Sequence, residues 1–157
     1  MIKVIGPSDL FDYYLNDPTT PSLVIRIPLP KLSDMPLKVE IIGHREGPLV
    51  QEDSVRIQAA SVLYSMIFTL SWINKIRRVE KWSIVDTLKI SPRAGKQFNA
   101  YYDRYSLQFF YDLHPHTNKI VFSSSSTEAV NHEFGHAILD SFRPDLWDIS
   151  IFEIFCF

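Results

Sequence analysis

The stretch Ser125–Ser141, SSTEAVNHEFGHAILDS, decides how this chain is read. Val130, Phe134, Ala137 and Ile138 recur at helical spacing, so the segment predicts a helix with one apolar stripe. Ser125 followed three residues later by Glu128 has the form of a capping box, in which each side chain satisfies the other's backbone N–H. Pro144 disfavours helix at Arg143, so the helix is expected to end near Ser141.

Inside that helix lies His132-Glu133-Phe134-Gly135-His136, the pattern H-E-x-x-H. Residues four apart stand one above the other on a helix, so both imidazoles can reach one Zn²⁺ from the same side. Glu133 sits about 100° around the axis from His132. That places its carboxylate where it can take a proton from a metal-bound water and later deliver it to a leaving amine. Zinc brings the pKa of such a water down to about 7. The expectation is a zinc site with His132 and His136 as ligands and Glu133 as general base. The structural alternative is a helix whose histidines never meet metal.

A catalytic zinc also needs a third protein ligand. Asp140 shares the histidine stripe but lies eight residues from His132, a rise of about 12 Å, too far to close a compact site with both histidines. It is expected instead to hydrogen-bond a histidine or a neighbouring segment, or to be a plain structural carboxylate. Glu153 is the only later glutamate, so the third ligand is Glu153 or a glutamate beyond Phe157. Asp145 and Asp148 lie too near the interhelix turn. His114 and His116 read as turn residues and not as ligands.

Upstream of this helix, Asp53–Arg78 is free of proline and glycine and nearly continuously apolar over Ala59–Ile73. It is too short and too rich in hydroxyls for a membrane span, which takes about 20 apolar residues. A long helix buried in the domain is expected. Ser61, Ser65 and Thr69 give it a small-residue stripe, and Lys75, Arg77, Arg78 and Lys81 at its end read as charge favourable to a helix C-terminus more than as a phosphate patch. Residues 86–122 return to strand character, with Phe98–Tyr102 and Leu107–Tyr111 flanking a hairpin turn at Asp103-Arg104 and a short strand at Ile120–Phe122. Their aromatics read as core and sheet-face residues.

Residues 1–50 carry seven of the ten prolines and two alternating segments, Leu23–Ile27 and Leu37–Ile41. They read as a β-rich flank, with residues 51–157 as the second region. The chain has 157 residues and a net charge of −2, a balance with no footprint for nucleic acid or an anionic surface. A lone Cys156 excludes an internal disulfide framework and a cysteine-only zinc site. No signal peptide is visible at Met1–Gly6, leaving a cytoplasmic default, with secretion open to a fragment.

Asn99-Ala100 followed by aromatics, a strand region, and then His132–His136 with Ala137 and Asp140 resemble the thermolysin-like zinc metallopeptidases in order, over about residues 55–145. The resemblance implies an α+β, zincin-like fold with a mixed or antiparallel sheet, a long buried helix and a metal-binding helix. It implies zinc as cofactor, a peptide or protein as substrate, and hydrolysis of peptide bonds. It further implies that Asn99 and Ala100, on an edge strand, hold the substrate backbone like an added strand. The family's third ligand is a glutamate in an Asn-Glu-x-x-x-Asp type sequence about twenty residues after the second histidine; that count reaches Cys156, and no such sequence is present. The expectation is therefore an N-terminal catalytic half without its C-terminal helical domain. The alternative is a truncated or decayed, non-catalytic domain acting as a peptide- or protein-binding module.

Overall fold

The computed structural model describes residues 10–16, 23–42 and 52–148. Strands β1 (Leu10–Tyr14) and β2 (Val24–Pro28) form an antiparallel pair in which Tyr13 faces Ile25. The alternation expected around Leu23–Ile27 is present: Ile25 and Ile27 are half-buried, while Val24 and Arg26 face solvent. β1 follows the same rule, with Phe11 and Tyr13 buried and Asp12 exposed.

A second sheet has four strands: β3 (Val39–Ile41), β4 (Leu88–Ser91), β5 (Ala100–Tyr102) and β6 (Ser106–Phe109), in the order β3-β4-β6-β5. The first two pairings are parallel, and β5 runs antiparallel to β6 at the edge. The sheet is therefore mixed, and it takes β3 from within the N-terminal 50 residues. Period two turns Leu88 and Ile90 inward and leaves the cross-strand partners Glu40 and Lys89 outside. The long apolar run expected at Leu107–Tyr111 breaks at Phe110. There the chain changes partners: the Phe110 N–H is shared between Asn99 O (3.2 Å) and Ser123 Oγ (2.9 Å). β7 (Tyr111–Leu113) then pairs with β8 (Ile120–Phe122) in a small antiparallel ribbon.

Two helices pack on the inner face of the four-stranded sheet. α1 (Glu52–Ile76) contributes Val62, Leu63, Met66 and Leu70, and α2 (Thr127–Phe142) contributes Val130, Phe134, Ala137 and Ile138. They meet Leu88, Ile90, Leu107 and Phe109 in one core. A smaller core joins Phe11 and Tyr13 to Ala60, with Tyr64 packed against it. α1 is not buried all round as its composition suggested: Phe68 is 53% and Trp72 56% exposed. An almost uniformly apolar helix carries no stripe from which its buried face can be read. The small-residue stripe does face inward, where Ser65 is hydrogen-bonded to the Tyr13 hydroxyl (2.7 Å) and Thr69 donates to Asn131 Oδ1 of α2 (2.9 Å).

The fold is thus a small α+β arrangement with a mixed sheet and few helices. No helix among the described residues is long and apolar enough to cross a membrane. A short helix, α3 (Asp145–Asp148), follows α2; its expected continuation through Ile149 and Ile151, together with Glu153 and Cys156, lies outside the described residues.

Candidate metal site

Helix α2 begins one residue later than the sequence suggested. Ser123–Ser125 form a 3-10 turn, and Ser126 is the N-cap, its Oγ accepting from the Ala129 N–H at 3.3 Å. Glu128 is therefore not at the reciprocal position, and the expected Ser125–Glu128 capping box is absent. Four consecutive serines offer the same hydroxyl, and tertiary contacts choose among them. The choice falls where Thr127 can reach β1: its N–H donates to Asn16 O (3.1 Å) and its hydroxyl to Tyr14 O. Asn131 ties the middle of the helix to Thr69 of α1. The apolar stripe seals the inner face, so His132 and His136 must point away from the core.

His132 is exposed and His136 half-buried. Their Nε2 atoms stand 3.3 Å apart with the rings nearly perpendicular, at 88°. That separation is long for a hydrogen bond but within reach of one between the two rings in the metal-free protein. It matches the edge of a tetrahedron: two nitrogens at about 2.0–2.1 Å from one zinc, subtending a tetrahedral angle, stand about 3.3–3.4 Å apart. The donor set of the pair therefore fits zinc. Among the described residues no group of three His, Cys, Asp or Glu side chains comes together to hold a metal. Glu153 lies outside them.

Glu133 is half-buried between this pair and β5. Burial pushes its carboxyl above the usual carboxylate range, while positive charge on His136 and His132 and a hydrogen bond from the Tyr102 backbone N–H pull it down. Ala100 opens β5, and Asn99 precedes it, exposed, its Oδ1 accepting from the Ala100 N–H at 2.9 Å. Asn99 and Asp103 both bond toward β6, through Asn99 O to Phe110 N and Asp103 N to Ser106 O. Antiparallel alternation then turns the backbone groups of Ala100 and Tyr102 to the outer side of the edge strand. The two substrate-contact candidates thus lie on the strand whose Tyr102 reaches Glu133. Beside them is a hollow of about 240 Å³ lined by Phe98, Phe110, Val121, Phe122 and Ala129.

Asp140 bonds a neighbouring segment and not a histidine. It is fully buried, and its Oδ2 accepts from the Tyr102 hydroxyl (2.8 Å) and Arg104 Nε (3.1 Å) while Oδ1 accepts from Arg104 Nη2 (3.0 Å). Burial and then the bond to Asp140 hold the Tyr102 phenol far above its usual pKa, so it stays a donor at any working pH. Arg104 sits in the β5–β6 turn at φ +74°, a left-handed conformation that costs a non-glycine residue about 1–2 kcal/mol. Its second arm donates to Asp148 of α3 (3.0 Å) and its Nη2 also to Ser83 (3.2 Å). Trp147 packs edge-on against both Tyr102 (5.6 Å) and His136 (6.0 Å). Sequence reasoning singled out neither Tyr102 nor Arg104 for the site, because each meets Asp140 across 36 or more residues. His114 and His116 do lie in a turn, where His114 Nδ1 accepts the N–H groups of His116 and Thr117.

No protein-family model, curated protein or solved structure matches this chain.

Proposed function

We propose that the chain carries the metal-binding part of a zinc-dependent metallopeptidase of the zincin type, similar to the thermolysin-like enzymes. The reading rests on one observation above the others: the His132 and His136 Nε2 atoms lie at the spacing of two ligands on one tetrahedral ion. Zinc bound there would supply Lewis-acid chemistry at neutral pH. Glu133 Oε holds the mobile proton, taking it from the attacking water and passing it to the leaving amine nitrogen. Its half-buried position supports that role, because a carboxyl raised above its usual range is a better proton acceptor. Ala100 would accept from an extended peptide along β5 through its outward carbonyl, while Asn99 would steady the strand by holding the Ala100 N–H. The hollow by Phe98 and Phe110, whose lining also includes Gln97, Asn99 and His114, offers room for a side chain of that peptide.

Replacing Glu133 with Gln removes the base and leaves both histidines. Hydrolysis of a peptide by the intact protein should fall by about 10²–10⁴ while zinc stays bound; unchanged hydrolysis would sink the assignment. The outer edge of β5 would equally serve a non-catalytic peptide-binding module. Saturable peptide binding with no cleavage by the zinc-loaded protein would favour that second reading.

A further inference from the structure

Arg104 makes contacts out of proportion to its place in a two-residue turn. It adopts a left-handed backbone, pairs bidentately with fully buried Asp140 one helical turn past His136, and pairs through its remaining arm with Asp148 of α3. Asp148 adjoins Trp147, whose ring meets His136 edge-on with centroids 6.0 Å apart, while His132 meets the same imidazole at 4.9 Å. The Asp140 pair fixes the end of α2 on β5, and the Asp148 pair fixes α3 on the same guanidinium.

We propose that Arg104 is a positioning residue for His136: by holding α2 and α3 on one planar fork, it keeps Trp147 against the imidazole and so sets the direction in which Nε2 points. This deepens the metal-site reading and rests on it for its functional meaning. The physical reason is ring freedom. A half-buried histidine without a fixed neighbour samples alternative χ2 angles, and each departure moves Nε2 out of the 3.3 Å relation to His132. Groups that orient a metal-ligating histidine commonly change metal affinity by about 10–100-fold when removed. A lysine cannot substitute, because a single ammonium cannot grip Asp140 with two parallel bonds and reach Asp148 as well.

The test uses the whole chain in five forms: wild type, Arg104→Gln, Asp148→Ala, Arg104→Lys and Trp147→Leu. Asp148→Ala keeps the Asp140 pair and removes only the acceptor of the exposed arm, so it serves if Arg104→Gln does not fold. Two readouts are taken. Zinc affinity by competition with a chromophoric chelator should fall about 10–100-fold in Arg104→Gln and severalfold in Asp148→Ala, with Arg104→Lys failing to restore it. In metal-free protein, the His136 ring-proton resonances should move in both variants toward their positions in Trp147→Leu, as the indole leaves the imidazole. Folded variants with wild-type zinc affinity and unmoved His136 resonances would overturn the proposal. Should the wild type take up no zinc at the histidine pair, the metal reading fails, and the His136 resonances still decide whether Arg104 positions the ring.

Discussion

Tyr102→Phe removes one hydroxyl and leaves the buried ring where it is, which isolates the bond to Asp140. The Asp140 carboxylate has no exposure and keeps both Arg104 bonds in the variant, so it remains paired and charged. What disappears is one hydrogen bond at 2.8 Å to a charged acceptor that water cannot reach. Bonds to charged groups contribute about 1.5–3 kcal/mol, against about 1 for neutral pairs. Because Arg104 stays, the lower half of that range is expected, about 1.5–2 kcal/mol. Urea unfolding followed by linear extrapolation should show the midpoint falling at unchanged slope. Asp140→Asn should cost more, approaching the 3 kcal/mol or so seen when a buried pair loses one partner, tempered by the Asp148 and Ser83 contacts left to Arg104. In a double-mutant cycle the two changes should couple by about 1 kcal/mol or more. A loss below about 0.5 kcal/mol for Tyr102→Phe, or additivity with Asp140→Asn, would refute the idea that this carboxylate anchors α2 to β5.

Gly135 lies between the histidines on the exposed side of α2, and a Cβ there meets nothing within 4 Å. Gly135→Ala should therefore stabilise the metal-free protein by about 0.5–1 kcal/mol in thermal unfolding. Glu133→Gln should change stability in a pH-dependent way: a carboxyl raised on folding leaves stability intact below its ordinary range and loses it as pH rises through the ordinary value to the raised one. The variant should thus exceed wild type in stability at pH 7 and equal it below about pH 4, measured with chelator present. On α1, Met66→Ala should cost about 2–5 kcal/mol, whereas Phe68→Ser should cost about 1 kcal/mol or less; equal losses would mean that the helix is buried on both faces.

What could be read from the sequence was what local chemistry settles. The α2 helix, its inward stripe and the paired histidines follow from spacing alone, and β5 with its turn follows from alternation broken at Asp103-Arg104. The N-cap was misplaced by one residue because Ser125 and Ser126 differ only in which lets Thr127 reach β1. The buried face of α1 was hidden because Phe68 and Trp72 are as apolar as Met66 and Leu70, and only the position of β1 and the sheet distinguishes them. The grip on Asp140 was invisible for a different reason: Tyr102 and Arg104 precede it by 36 or more residues, and no periodicity links a turn arginine to a helix carboxylate.

The central claim, that His132 and His136 share one ion, is tested most directly by zinc stoichiometry. The purified chain is dialysed against micromolar Zn²⁺ beside its His136→Ala variant, and bound metal is measured by elemental analysis. The account predicts about one equivalent in the wild type, lost in the variant with folding retained. No uptake by the wild type, or equal uptake by the variant, would contradict it.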